Sequence, residues 1–451
     1  MSFQQGLSGL SAAATNLEVI ANNISNANTI GAKSSRAEFS DLYAEAAGGQ
    51  RSAGIGSSLA AVTQDHTQGS ISTTGRNLDL AINGDGYFPI QVSNQESGQE
   101  ATKTTLYTRN GQFKTDKDGW IVTNEGARLL GYGADASGAI RKGQLQELKI
   151  PDARLPQRAT GEIVQSFNLD SADKKKTVAF DPKDGDSFNY SASIKMFDQL
   201  GQSVEISTFY RKSDAGLWDV YATANGNRVP VSGAKIGSVD FTGSKAGEGP
   251  PKTRQGSATE PLAAPVLKLS ATDLEAALNP ATGTTSPGTT GLKYQFVVAG
   301  AVAGVNDVGL NLQDVTQQSG DYAVSKLTQD GYPVGTLGGF SFNEQGVLTA
   351  RYTNGETRNT AQLAIASFRN PQGLQSVGGN SWKETQAVGS KVVEVPGTGN
   401  LGDIVAGAVE ESNVDLTAEL VNLITAQRTY QANAQSIKTQ DQVTQTFLNM
   451  R

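Results

Sequence analysis

The sequence predicts a multidomain protein: a terminal α-helical coiled-coil core carrying all-β domains inserted in an out-and-back chain path. Three observations lead there. Apolar residues at Phe3, Leu7, Leu10, Ala14, Leu17, Ala21 and Ile24 alternate steps of four and three, the spacing of a coiled-coil seam. A second seam runs through Leu416, Leu420, Leu423, Tyr430, Ala434, Ile437 and Leu448, interrupted by Gln427, Asp441 and Thr444. The residues between carry strand period and turn punctuation, and the β-grammar of the first third returns after Gly331.

Residues 2–26 are predicted as an amphipathic helix capped by Ser2, ~35 Å long at 1.5 Å per residue. The asparagines at 22, 23, 26 and 28 weaken it and Gly31 ends it. Alone it is marginal in water, because nucleation is costly and its apolar face has no partner. Residues 33–76 form a connector rich in Ala, Gly and Ser, with a short helix expected over residues 36–47. From Leu78 the period changes. Leu78, Leu80 and Ile82 alternate with polar or small residues, Asn83-Gly84-Asp85-Gly86 makes a turn, and residues 87–92 make a second strand. Asn110-Gly111, Asp118-Gly119, Asp330-Gly331 and Asn354-Gly355 repeat that grammar and are expected as primed hairpin turns.

Pro151 and Pro156 frame a change of segment. Residues 161–329 read as a second β-rich region, with strands on either side of turns at Gln199-Leu200-Gly201 and Asp214-Ala215-Gly216 and strands resuming over 293–298. A helix of ~55 Å, capped at Ser412, runs to the end. The expected division is residues 1–30 with 411–451 as helical core, 31–74 with 396–410 as connecting segments, 75–150 with 330–395 as inner β-domain, and 151–329 as outer inserted β-domain. Pro151 and Gly331 are the candidate inter-domain hinges.

Among 451 residues, 37 are basic and 44 acidic, a net charge of −7. That argues against nucleic-acid binding, which needs a basic face. The chain has no cysteine and a single histidine, His66, which excludes cysteine zinc sites, thiol nucleophiles and disulfides. His66 is expected to be solvated or hydrogen-bonded. Asp116-Lys117-Asp118-Gly119 lacks the glycine and glutamate positions of a calcium loop. Asp181, Asp184 and Asp186 fit turn chemistry. No catalytic, cofactor-binding or metal-ligating residue is assigned, and the chain is not expected to be an enzyme. No cleavable signal peptide is expected, and no run approaches ~18 apolar residues, so no membrane insertion is expected.

Four motifs then carry a resemblance. They are Asn22-Asn23-Ile24-Ser25-Asn26-Ala27-Asn28-Thr29 with Gly31; Leu78-Asp79-Leu80-Ala81-Ile82 through Gly86-Tyr87-Phe88; Tyr107-Thr108-Arg109-Asn110-Gly111-Gln112-Phe113; and Glu411-Ser412-Asn413-Val414-Asp415-Leu416 through Ala426-Gln427-Arg428-Thr429-Tyr430-Gln431-Ala432-Asn433-Ala434-Gln435. In this order they resemble the axial proteins of the bacterial flagellum, those of rod and hook. The large middle segment, Asp198-Gln199-Leu200-Gly201 with Trp218, and Asn370-Pro371-Gln372-Gly373-Leu374 resemble the hook branch. The resemblance implies a non-enzymatic structural subunit of the flagellar hook, polymerising into a hollow, curved, flexible tube that transmits torque from rod to filament as a universal joint. It implies type III export without a cleaved signal, an extracellular place in the flagellum, and partners in the chain itself, distal rod protein, hook cap, hook-filament junction proteins and export apparatus. It implies no cofactor. The rival readings are a distal flagellar rod protein and, from another class, a secreted β-rich adhesin.

Overall fold

Every backbone N–H and C=O in a buried strand needs a partner, and in this chain the partners come from distant segments. The computed structural model describes residues 2–42, 56–94, 102–135, 138–151, 154–242, 251–258, 260–279, 294–296 and 307–449. Among them lie helices α1 (Ser2–Ser25), α2 (Ala271–Leu278) and α3 (Leu416–Asn449), and otherwise chiefly β-strands. The chain divides into two compact units. The first comprises Met1–Asp152, Gly338–Arg351 and Thr357–Arg451, the second Ala153–Leu337 and Tyr352–Glu356.

The β-part of the first unit is closed by pairings between outgoing and returning chain. Leu80–Asn83 pairs antiparallel with Asp403–Ala406, setting Ile82 opposite Ile404. Arg128–Gly133 pairs with Thr357–Leu363, setting Tyr132 opposite Gln362. Leu80, Ile82, Phe88, Leu129, Leu348 and Leu363 are buried together in its main core. Tyr87, Tyr107, Phe368 and Trp382 form a second, aromatic cluster.

The connector differs from expectation. Its described part is an antiparallel hairpin of β1 (Ser35–Leu42) and β2 (Gly56–Gln64), with a register shift at Glu38/Phe39. The helix expected over residues 36–47 is thus a strand as far as Leu42, and 43–47 lie outside the described residues. Phe39, Leu42 and Tyr43 are too few apolar positions to separate the two periods, and cross-strand partners such as Leu59 opposite Phe39 decide the outcome.

The turns also need correcting. A type I′ turn demands positive φ at both central residues. Among the described residues Asn225-Gly226, with φ of 48° and 83°, and Gly379-Asn380, with φ of 59° and 51°, meet this, and none of the expected pairs does. Gly84, Gly119 and Gly355 have positive φ, but the Asn or Asp before each does not. These are wider loops held by side chains: Asp116 Oδ1 accepts from the amides of Asp118 at 2.9 Å and Trp120 at 2.8 Å. Gly111 is required for another reason, since a Cβ there would lie 1.6 Å from the Leu80 carbonyl oxygen.

In the second unit Tyr190–Phe197, Ser203–Asp214 and Leu217–Ala224 form the expected antiparallel meander. Glu162–Asp170 centres another sheet, parallel to Val308–Asn311 and Thr316–Gln318 and antiparallel to Ala323–Gln329. Phe167, Tyr210, Trp218, Leu267, Leu274 and Leu310 share one buried core. Helix α2, unforeseen among the β-signals, contributes Leu274 and Leu278 to it. Of the strand expected over 293–298, residues 294–296 are irregular, with Tyr294 tied to the Asn279 side chain and the amides of Gln295 and Phe296 donating to Asp198 and Glu275; the rest lie outside the described residues.

Candidate assembly surface

Helices α1 and α3 pack antiparallel within the first unit. Gly6 lies against Ile437, Gly9 against Asn433, and Asn23 Nδ2 donates to Glu419 Oε1 at 3.1 Å. A Cβ on Gly6 would come within 3.0 Å of Ile437 Cγ1, and one on Gly9 within 3.1 Å of Asn433 Nδ2. Small residues therefore set the spacing. Ala13, Ile20 and Asn23 on α1, and Ala426 on α3, are the buried positions of the pair.

This inner face is a neighbour of the sequence seams. Gly6, Gly9, Ala13, Ile20 and Asn23 each stand one residue before a seam position, a rotation of about 100° on the helix. The seam residues are left partly outside. Leu7 is 53 % exposed, Ala21 is exposed, and Leu10, Ala14, Leu17 and Ile24 are half-buried. On α3, Leu416, Leu420 and Tyr430 are exposed, while Leu423, Ala434 and Ile437 are half-buried. The side chains of Phe3 and Leu448 lie outside the described residues. Val421 and Ile424 extend the exposed apolar surface of α3. The start of α3 is capped by Asp415, whose Oδ1 accepts from the amides of Thr417 and Ala418; Ser412, the expected cap, accepts instead from Val414.

The hairpin lies along α1, so close that a Cβ on Gly56 would meet Ser8 Oγ at 1.9 Å. Between α1, α3 and the hairpin is a cleft of ≈ 720 Å³ lined by polar groups including Arg36, Glu38, Asp65, Glu419 and Asn422.

Beneath the helices sits a charge node that the sequence did not announce. Glu410 is fully buried; its Oε1 accepts from Lys33 Nζ at 2.7 Å and the Gly69 amide at 2.9 Å, and its Oε2 from Arg109 Nη1 at 2.9 Å. Lys33 also donates to the Thr67 carbonyl, and Arg109 Nη2 to that of Gly84. Burial holds the Lys33 ammonium below its usual range, with Glu410 pulling the other way. Arg109 lies over the Tyr87 ring, and Tyr87 shares a 2.9 Å hydrogen bond with His66 Nδ1. Burial, followed by the charge of Lys33, lowers His66 to about 4, and burial raises Tyr87 to about 12. His66 is thus the hydrogen-bonded histidine of the two expected alternatives.

All four sequence motifs reach this node or its rim. Asn23 exchanges two hydrogen bonds with Ser35. The Gly31 amide donates to the Glu410 carbonyl, and Gly31 itself has a φ of 73° and touches Asn110. Gly84, Tyr87 and Arg109 come from the second and third motifs. Asn413, from the fourth, accepts from the Ser34 amide at 2.7 Å and donates to the Asp65 carbonyl at 2.8 Å. The arrangement is mechanical in character: it fastens the end of α1 and the start of α3 to the β-part of their unit. Among the described residues no group of acidic or histidine side chains is arranged to hold a metal ion, and no helix is long and apolar enough to cross a membrane.

Comparison with known proteins accounts for these motifs. Family models match along the chain: "Flagella basal body rod protein" over residues 3–33, "Flagellar hook protein FlgE/F/G D1 domain" over 81–168, "Flagellar basal body protein FlaE D2 domain" over 168–332 and "Flagellar basal body rod FlgEFG protein C-terminal" over 405–450. The flagellar hook protein FlgE of Escherichia coli K12 is 35 % identical over 457 residues, covering 100 % of both chains. That of Salmonella typhimurium LT2 is 34 % identical with the same coverage, and that of Treponema pallidum is 28 % identical over 99 % of this chain and 98 % of its own. Among solved structures, Helicobacter pylori flagellar hook protein FlgE2 aligns at a TM-score of 0.49 and 14 % identity, covering 74 % of this chain and 98 % of that one. With more than a third of its residues shared end to end with a curated relative, and its terminal and middle segments each matched in order, the chain belongs to the flagellar hook protein family.

Proposed function

We propose that this chain is the structural subunit of a flagellar hook, polymerising into a hollow, curved, flexible tube that passes torque from rod to filament. The observation that carries the reading is the placement of the leucine stripes. The helix pair closes on glycine and alanine and leaves Leu7, Leu416, Leu420 and Ile424 at the surface. Fully burying a Leu-sized side chain is worth ~1.5–3 kcal/mol, so this surface favours further copies. Contacts between unlike faces generate a helical polymer when their rotation does not close into a ring.

On this reading residues 1–30 and 411–451 line the tube, and its ends meet the distal rod protein, the cap during growth and the hook-filament junction proteins. The subunit is exported through the type III apparatus and works outside the cell. The same reading keeps the four-part division of the chain and its flexing points. Pro151 adjoins the outgoing crossing between the units at Asp152/Ala153. On the return path Gly331 precedes the crossing at Leu337/Gly338 and stays the proposed flexing point there; it packs closely on Thr160, whose Oγ1 would lie 2.3 Å from a Cβ at position 331.

Electron microscopy of the purified chain, whole and lacking residues 1–30, tests the proposal. Hollow tubes from the first and monomers from the second are expected. Monomers from both, at concentrations where related subunits polymerise, would refute it.

A further inference from the structure

We propose that the outer face of the β1–β2 hairpin is the seat for the Leu420–Ile424–Arg428 line of α3 from a second copy of this chain. The inference rests on the polymer reading above and names which faces meet.

Arg36, Glu38 and Thr63 line the polar cleft. Strand alternation therefore turns Ala37, Phe39 and Asp41 to the opposite side. Val62 stands opposite Ala37 and Leu59 opposite Phe39, so the outer face is an apolar ladder ending in a carboxylate. Phe39, Leu59 and Val62 are all exposed. A two-stranded sheet is at best marginally stable in water by itself. Here one face rests beside α1, and among the described residues the apolar side chains of the other are exposed.

The occupant is chosen by pattern and charge. Leu420, Ile424 and Arg428 follow one another at four-residue steps on α3, two apolar positions and then a cation, ~6 Å apart along the helix. The ladder Ala37/Val62, Phe39/Leu59, Asp41 is two apolar rungs and then an anion, ~6.7 Å apart along the strand. Leu420 seats on Val62, Ile424 on Phe39 and Leu59, and Arg428 reaches Asp41. Asp41 and Arg428 are both exposed, and neither forms an ion pair among the described residues. The chain's own α3 is the wrong occupant. It borders the cleft with Glu419, Asn422, Ala426 and Thr429, which puts its Leu420–Ile424–Arg428 line on the far side of the helix. The contact joins unlike faces, as an open polymer requires.

Because the chain has no cysteine, a paired Phe39→Cys and Ile424→Cys variant gives an unambiguous readout. Oxidising its tubes is expected to yield a ladder of covalent multimers, and oxidising dilute monomers none. In parallel, Asp41→Arg and Arg428→Asp should each raise the critical concentration for assembly about five-fold, the size of an exposed ion pair, and the double swap should restore it. Tubes without a ladder, a cross-link formed inside the dilute monomer, or a double swap no better than the single variants would overturn the proposal. If the unsubstituted chain forms no tubes, the hook reading fails first and this contact falls with it.

Discussion

Glu410 accepts from Lys33, Arg109 and the Gly69 amide while fully buried. A buried ion pair is weak evidence for stability, because desolvation offsets attraction, but breaking one strands the remaining charge. Glu410→Ala would leave two cations without their carboxylate, and a loss of roughly 3–5 kcal/mol is expected from chemical denaturation. Replacing the node as a whole, with Lys33→Met, Arg109→Leu and Glu410→Leu together, should cost less than Glu410→Ala alone. The opposite order would mean that the charges themselves hold the joint. None of this was legible locally. Lys33 is 377 positions from Glu410 and Arg109 is 301 from it, and no periodicity links residues so far apart. Arg109 and Asn413 were visible only as members of motifs, with no hint that they meet at one place.

At the level of elements, the helix pair shows what a heptad pattern leaves open. Positions 7, 10, 14, 17, 21 and 24 form a seam by spacing, yet the stripe one residue earlier makes the contact with α3 because Gly6 and Gly9 permit close approach. Two substitutions on neighbouring stripes should therefore act differently. Gly9→Leu would drive a side chain into Asn433 and is expected to lower the helical circular dichroism of the monomer and its melting temperature. Leu7→Ser, at a position 53 % exposed, should leave the monomer's melting within experimental scatter while raising the concentration needed for tubes. Equal effects of the two on the monomer would contradict this division of labour. The hairpin carries a similar lesson: residues 36–42 were expected as part of a helix, and pairing with the segment that starts at Gly56 makes them a strand.

For the whole molecule, the chain path makes the second unit an excisable insertion. Arg158 and Tyr332 face each other across a pair of backbone hydrogen bonds, both 2.9 Å. That is the geometry a two-residue turn can close. Replacing residues 159–331 by Asn-Gly should give a soluble chain whose first unit keeps its tryptophan and aromatic circular dichroism from Trp120 and Trp382 and still forms tubes. If the shortened chain aggregated without ordered structure, the units would not be independent folding bodies. Tubes that form but stay straight would place the origin of curvature in the excised part.

What the sequence determined by itself was the order of parts: helix first and last, β-structure between, and the family through four motifs. These are local or serial properties, set by periodicity, turn chemistry and residue identity, and they survive any arrangement in space. Tertiary structure decided which helix stripe faces inward, that the connector is a hairpin, that most Asn-Gly and Asp-Gly pairs sit in wider loops, and that Glu410 gathers Lys33 and Arg109. Each of these depends on which partner group a residue meets in the folded chain or on the room a glycine leaves for a neighbour. A local pattern carries neither.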